Sequence, residues 1–166
     1  MKYYFLTFIF LIFYSCNENL NYDIVDGQVD KDYLFNSNNT KWFPYNYNSY
    51  ITDTFLSENN FDNIDNYTIE LYMGVKCHDS EREVPRLIKI LDEIKFLDNK
   101  LKIYLLKQNK TSDSGFEKGK NITNTPTIIF YKNSKEINRI VEFPVETLER
   151  DIYKIINDIE YRHVYY

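Results

Sequence analysis

The chain contains few of the residues on which most metal and nucleotide sites depend. It has 2 cysteines, and its 2 histidines, His78 and His163, lie far apart in the sequence. A structural zinc site needs four ligands of these types, so we predict that the protein binds no metal. The 4 glycines form no phosphate-binding loop, and we expect no cofactor.

Positive charge is not concentrated in any stretch of the chain. The formal net charge is -5 at pH 7, and acidic and basic residues are interspersed along the chain. Without a sustained basic stripe, the protein has no means of neutralising a phosphate backbone, so we expect no nucleic-acid partner. Glycine and proline number only 4 each, and 43% of the 166 residues are hydrophobic. This composition predicts one folded domain with a proper core.

Residues 1–16 have the pattern of an export signal. Met1 and Lys2 are followed by an apolar and aromatic run over 3–14, and Ser15 precedes Cys16. This run is shorter than the roughly 20 apolar residues of a membrane-spanning helix, so a signal peptide is the better interpretation. The end of the segment resembles a bacterial lipobox, which implies cleavage before Cys16 and lipidation of that cysteine. An ordinary or uncleaved signal peptide is the alternative.

Lipidation at Cys16 has two consequences. The mature protein would be a lipoprotein of the bacterial cell envelope, anchored to a membrane and facing the periplasm. Cys77 would then be the only remaining thiol, so no intramolecular disulfide could form. Residues 17–50, rich in Asn, Asp and Ser, have no sustained period, which predicts a polar tether grading into a loosely ordered N-terminal arm.

A strand and a long helix are predicted on either side of Cys77. The stretch 67–75 is β-branched and aromatic, which indicates a strand. The apolar residues of the following helix recur at helical spacing, namely Val84, Leu87, Ile88, Leu91 and Ile94. Ser80 and Glu83 have the spacing of a capping box at its start. Pro85 falls inside this helix, where we expect it to bend the first turn.

The rest of the chain predicts further strands and two more helices. A short helix is expected over 51–61, and a second strand over 101–107. A loop at 108–124 is followed by two strands at 127–131 and 136–142, which meet at a polar turn. A last helix begins at Pro144. Its apolar face consists of Val145, Leu148, Ile152, Ile155 or Ile156, and Ile159.

This order of elements predicts an α/β fold. A parallel βαβ unit is followed by an antiparallel hairpin and a C-terminal helix, which gives a three-layer sandwich around a mixed central sheet. We place this domain at 51–160 and a C-terminal tail at 161–166.

Cys77 is the most informative position because it lies between a strand and a helix. Unpaired N–H groups and the helix dipole favour the thiolate there, while an inert, small hydrophobic residue is the alternative. His78 is either a proton shuttle or an exposed loop residue. Ser80 is either a helix cap or, less often, a catalytic hydroxyl.

Three segments resemble the thioredoxin superfamily. They are Cys77-His78-Asp79-Ser80, Pro85, and Thr125-Pro126-Thr127. The resemblance implies a thioredoxin-like fold, a structural role for Pro85, a cis bond before Pro126, and a partner peptide held at Thr125 and Pro126. The stretch from Gly74 to Arg86 is also similar to a subgroup of exported thioredoxin-family lipoproteins of Bacteroidetes-type bacteria with a Cys-x-x-Ser site.

The chain departs from the redox-active pattern of that superfamily in three ways. Ser80 replaces the second cysteine, so two-cysteine cycling is excluded. Lys76 stands where a tryptophan is usual, and Leu71 stands at the position of the buried carboxylate. Glu70 is one residue away, and the period of a strand predicts that it points to the opposite face.

Two functions follow. The first is a thiol–disulfide oxidoreductase-like protein in which Cys77 exchanges with the thiols or disulfides of a partner protein, or with a small thiol. The second is a non-catalytic, peptide-binding module of the same fold.

Overall fold

The computed structural model describes residues 26–166, so the predicted signal sequence, Cys16 and the start of the predicted tether lie outside the described residues. Five strands form one mixed sheet in the order β1-β3-β2-β4-β5. Their bounds are β1 Gly27–Val29, β2 Thr68–Met73, β3 Leu101–Leu105, β4 Thr127–Lys132 and β5 Lys135–Val141. Strands β2 and β3 are parallel, and the other neighbouring pairs are antiparallel.

Five α-helices accompany the sheet in this part of the chain. They are α1 Lys31–Asn36, α2 Phe43–Ser49, α3 Phe55–Glu58, α4 His78–Glu93 and α5 Leu148–Ile156. None of the helices within residues 26–166 combines the length and the apolar character needed to cross a bilayer.

The α/β class and the order of the central elements are confirmed. Helix α4 connects the parallel strands β2 and β3, and the β4–β5 hairpin precedes α5. Asn133 and Ser134 form the hairpin turn, and both have positive φ, at 53° and 63°. This is the backbone conformation that matches the twist of two antiparallel strands.

One face of the sheet carries the main core. Alternate residues of β2, such as Ile69 and Leu71, are fully buried in one cluster with residues of α4 and α5. The predicted apolar face of α4 is buried from Val84 to Leu91. The predicted last helix is too long, because α5 begins after its cap Thr147 and ends at Ile156. Val145 and Ile159, which lie outside it, are 50% and 47% exposed.

The opposite face is covered without a helix. Tyr72 and Tyr104 stack with ring centroids 4.9 Å apart, and Phe116 stacks on Tyr104 at 4.8 Å. Phe116 belongs to the segment 107–126, which contains neither helix nor strand. Helices therefore form one outer layer of the described fold, and an irregular segment, predicted as a loop, forms the other.

The N-terminal arm is better ordered than predicted. Residues 26–50 hold β1, α1 and α2, and both Leu34 and Phe43 are completely buried. The rings of Phe35 and Phe43 lie 4.8 Å apart. The prediction was wrong here because each element is too short to produce a visible period, and its residues are held by the core.

The predicted helix over 51–61 is reduced to one turn. Only α3, Phe55–Glu58, is helical, and Ile51 is 88% exposed instead of facing the core. Leu56 provides the buried contact. The side chain of Asp53 accepts the N–H of Phe55 at 2.9 Å at the start of this turn, and the turn ends because the backbone of Asn59 is extended.

Candidate functional site around Cys77

The loop that carries Cys77 connects the central strand β2 to α4. Cys77 is the N-terminal flanking residue of that helix, with an extended backbone. Its N–H donates to the carbonyl of Gly74 at 3.1 Å, and its carbonyl accepts from Glu81 at 2.9 Å. The thiol therefore lies where the first N–H groups of a 16-residue helix have no partner within the helix.

The thiol of Cys77 faces the start of β4. Its Sγ lies 3.0 Å from the carbonyl oxygen of Thr125, to which it donates. The bond between Thr125 and Pro126 is cis, as the resemblance implied. Both residues are buried. The structure thus brings Cys77 and the Thr125–Pro126 pair together, although 48 positions separate the thiol from its acceptor.

Cys77 opens into a groove of about 760 Å³. The groove is lined by residues 74–77 and Asp79, by residues 106–110, and by Asn124, Thr125 and Glu142. Cys77 itself is partly exposed. A pocket of several hundred Å³ is large enough for a small molecule or a short segment of polypeptide.

Ser80 does not cap α4, so the predicted capping box is wrong. The helix begins earlier, at His78, which puts Ser80 in its first turn. Ser80 is completely buried, and its Oγ accepts the N–H of Gly74 at 3.2 Å. Glu83 is also buried, and its Oε1 accepts from Arg82 at 2.5 Å. Each side chain therefore has a different partner from the one its spacing suggested.

Pro85 lies inside α4, as predicted, and the helix continues through it. Proline has no N–H, so the carbonyl of Glu81 loses its partner within the helix. The side-chain amide of Asn46 in α2 donates to that carbonyl at 3.0 Å. Sequence reasoning missed Asn46, because nothing local to Pro85 indicates which residue would supply the donor.

His78 does not share the groove of Cys77. Its exposed side chain lines a different depression, of about 380 Å³, together with Asn46, Tyr50 and Arg86. This position favours the interpretation of His78 as an exposed residue over that of a proton shuttle.

Side chains of both charge signs line the groove, and several of them form ion pairs or hydrogen bonds. Asp79 forms an ion pair with Arg82 at 2.8 Å. Glu142 accepts from the side-chain amide of Asn124 at 3.1 Å. Lys107 binds Asp113 through a short ion pair. No single sign of charge dominates the walls, so electrostatic attraction alone does not select a ligand.

Trp42 is a second residue that sequence reasoning missed. It lies just before α2, and its indole Nε1 donates to the carbonyl of Val75 at 3.3 Å. The chain contains no other tryptophan. Although Lys76 occupies the position before the cysteine, an indole from a distant segment contacts the loop.

The carboxylate of Glu70 lies on the face opposite Leu71, as predicted. Leu71 is buried in the main core, whereas Glu70 accepts from Lys120 and from the hydroxyl of Tyr72, both at 2.9 Å. Burial opposes ionisation of Glu70, but the bonds from Lys120 and Tyr72 outweigh it and lower its pKa. Glu70 therefore fastens the 107–126 segment to the sheet and cannot assist Cys77.

Within residues 26–166, no group of three or more His, Cys, Asp or Glu side chains is arranged to hold a metal ion. His163 is near the C-terminus, in a groove with Arg139 and Tyr166. Burial and the charge of Arg139 lower the pKa of His163. The two histidines of the chain thus line separate depressions.

Comparisons with known proteins assign no family to this chain, since neither any protein-family model nor any curated protein matches it. Functional inference therefore depends on the residues themselves. The groups on which a function can be based are the partly exposed thiol of Cys77, the carbonyl of Thr125 and the groove that contains them.

Proposed function

We propose that the protein is a thioredoxin-like, monothiol exchange protein in which Cys77 is the reacting group. The contact that carries this proposal is the one between the Cys77 thiol and the Thr125 carbonyl, 3.0 Å apart at the wall of an open groove. Support also comes from the parallel βαβ unit that presents Cys77 at the end of the central strand.

The exchange step is a displacement at sulfur. After losing its proton to solvent, the Cys77 thiolate attacks one sulfur of a disulfide, the old S–S bond breaks, and a mixed disulfide with Cys77 forms. The other half of the substrate leaves as a thiolate and takes a proton from water. Cys77 is oxidised to the disulfide level, and the released half is reduced.

An external thiol must complete the cycle. Ser80 cannot release the mixed disulfide, because a hydroxyl is not a resolving thiol, and its Oγ is already bound to Gly74. A partner protein or a small thiol would attack the mixed disulfide and regenerate Cys77. The proposed substrates are therefore disulfides, and the proposed co-reactant is a thiol.

A binding module without turnover is the second candidate. The observation that favours it is the engagement of Ser80, which leaves Cys77 without any second reactive group beside it. In that case the groove, which Cys77 and Thr125 help to line, would hold an extended peptide without changing it.

The test is the rate at which Cys77 forms a mixed disulfide. The full-length chain carrying Cys16→Ser, kept in a mild detergent because of its apolar 3–14 run, is incubated with 2-hydroxyethyl disulfide and followed by intact mass. The matched control adds Cys77→Ser and Ser57→Cys, which moves the thiol to an exposed helical turn. We expect Cys77 to react about tenfold faster than the control thiol. A reaction at Cys77 that is no faster than that of the control thiol would favour the binding module.

We further propose that Cys16 carries a lipid that anchors the protein in the cell envelope, as the pattern of residues 1–16 indicates. The test is metabolic labelling with a radioactive fatty acid in a bacterial host. Label in the parent chain and its loss in Cys16→Ser would support the anchor. Equal labelling of both chains, or none in either, would contradict it.

A further inference from the structure

We propose that Trp42 and Ser80 are positioning residues for Cys77. They bind the two ends of the Gly74–Val75 unit and so fix the direction in which the thiol points. This inference rests on the proposed exchange function and assigns a part in it to one residue of α4 and one residue from the N-terminal segment.

Ser80 holds the first end of the loop. Its buried Oγ accepts the N–H of Gly74, at the point where the chain leaves β2. The carbonyl of the same glycine accepts the N–H of Cys77. A buried N–H without a partner is costly, so this bond restrains Gly74 strongly. Gly74 therefore connects Ser80 to Cys77 through two consecutive hydrogen bonds.

The close approach at Gly74 leaves little freedom in this arrangement. A Cβ placed on Gly74 would lie only 3.3 Å from the Cβ of Cys77, which is tighter than an ordinary contact. It would also lie 3.8 Å from the Oγ1 of Thr125. No side chain therefore separates Gly74 from Cys77 and Thr125. A rotation of the Gly74 peptide would displace the thiol from the Thr125 carbonyl.

Trp42 holds the other end. Its indole N–H donates to the carbonyl of Val75. The helix α2 that follows Trp42 is attached to α4 at two points, the bond from Asn46 to Glu81 and the bond from the Tyr47 hydroxyl to Asp92 at 2.8 Å. The donor is therefore carried on a segment already bound to the helix that Cys77 begins.

With these bonds in place, the loop between β2 and α4 has one arrangement, and the thiol meets the Thr125 carbonyl at the groove wall. Exchange requires a nearly linear approach of three sulfur atoms, so the rate depends on the orientation of the thiol. Loss of either restraint lets the loop adopt other arrangements, in which the thiol no longer faces the groove.

The experiment compares Ser80→Ala and Trp42→Phe with the parent, each in the full-length chain carrying Cys16→Ser. Trp42→Phe removes the indole donor and retains a ring. Thr147→Ala serves as the matched control, because it removes a helix cap, an interaction of comparable energy, at α5. The second-order rate with 2-hydroxyethyl disulfide is measured from pH 6 to the plateau at alkaline pH, alongside urea unfolding.

We expect the plateau rate, where the thiol is fully ionised, to fall about tenfold in Ser80→Ala and about threefold in Trp42→Phe. Thr147→Ala should lose stability while its plateau rate stays unchanged. If Ser80 and Trp42 only stabilised the fold, their variants would give this same result. Unchanged plateau rates in both variants would overturn the inference and leave the exchange function standing. If the parent Cys77 reacts no faster than the relocated thiol, the exchange function itself fails. Should Ser80→Ala not fold, Trp42→Phe alone decides.

Discussion

Replacing Asn46 should reveal how the protein tolerates a proline in the middle of α4. Asn46→Ala removes the amide that donates to the Glu81 carbonyl, which Pro85 leaves without a partner in the helix. A net intramolecular hydrogen bond contributes about 0.5–1.5 kcal/mol, and the cost rises when a group is left unsatisfied. Since Asn46 is only partly buried, water can reach part of this site. We therefore expect a loss of about 1 kcal/mol.

The coupling with Pro85 tests the cause. In Pro85→Ala, the new N–H can donate to Glu81 within the helix, so the carbonyl no longer depends on Asn46. The cost of Asn46→Ala should then fall close to zero, which gives a coupling energy of about 1 kcal/mol in the double-mutant cycle. The sign of Pro85→Ala alone is not decisive, because a buried ring is lost when a helix bond is gained.

Urea unfolding followed by far-UV circular dichroism supplies the four free energies, provided that the slopes agree. Asn59→Ala is the matched control, because the amide of Asn59 donates at 2.9 Å to the Phe55 carbonyl, and no proline stands four residues after Phe55. Its cost should be the same with or without Pro85. Additivity of Asn46→Ala and Pro85→Ala within about 0.3 kcal/mol would refute the assignment of Asn46 as the replacement donor.

Glu70→Gln should lower the free energy of unfolding in urea by about 1–2 kcal/mol at pH 7. Because the pKa of Glu70 is lowered in the folded protein, the stability difference between parent and variant should vanish as the pH falls below the ordinary pKa of about 4.3 and then through the folded pKa. A chain lacking residues 1–50 should show no cooperative thermal unfolding, since it loses the buried Leu34 and Phe43, each worth about 2–5 kcal/mol. In Ser80→Cys, the new thiolate should attack the sulfur of Cys77 in a mixed disulfide, form an intramolecular disulfide with it and release the bound half as a thiolate without an added thiol. Intact mass measures this release, and persistence of the adduct would contradict it.

The sequence predicts the central elements well because their patterns are long. Helix α4 has a repeating apolar face of more than two turns, and β2, β4 and β5 are rich in β-branched and aromatic residues with a polar turn between the last two. These signals are local, and tertiary contacts reinforce them. The parallel βαβ unit follows from the order of the elements alone.

Residues 26–50 and the ends of the helices are harder to predict because their structure depends on distant partners. The spacing of Ser80 and Glu83 predicts Ser80 at the N-terminal flanking position of α4, but Cys77 occupies that position. The bond from Ser80 back to Gly74 decides the outcome, since it buries the hydroxyl.

The reactivity of a thiol depends on its direction as well as on its position. Local sequence places Cys77 between a strand and a helix, but the groups that orient it come from elsewhere: Thr125 lies 48 positions away, and Trp42 lies 33 positions from the carbonyl it binds. A neighbour in sequence such as His78 instead lines a different depression. Substitution of Trp42 should therefore change the rate of exchange at Cys77 more than substitution of His78, although His78 is adjacent to it. The reverse order would mean that charge next to the thiol, and not its orientation, controls the reaction.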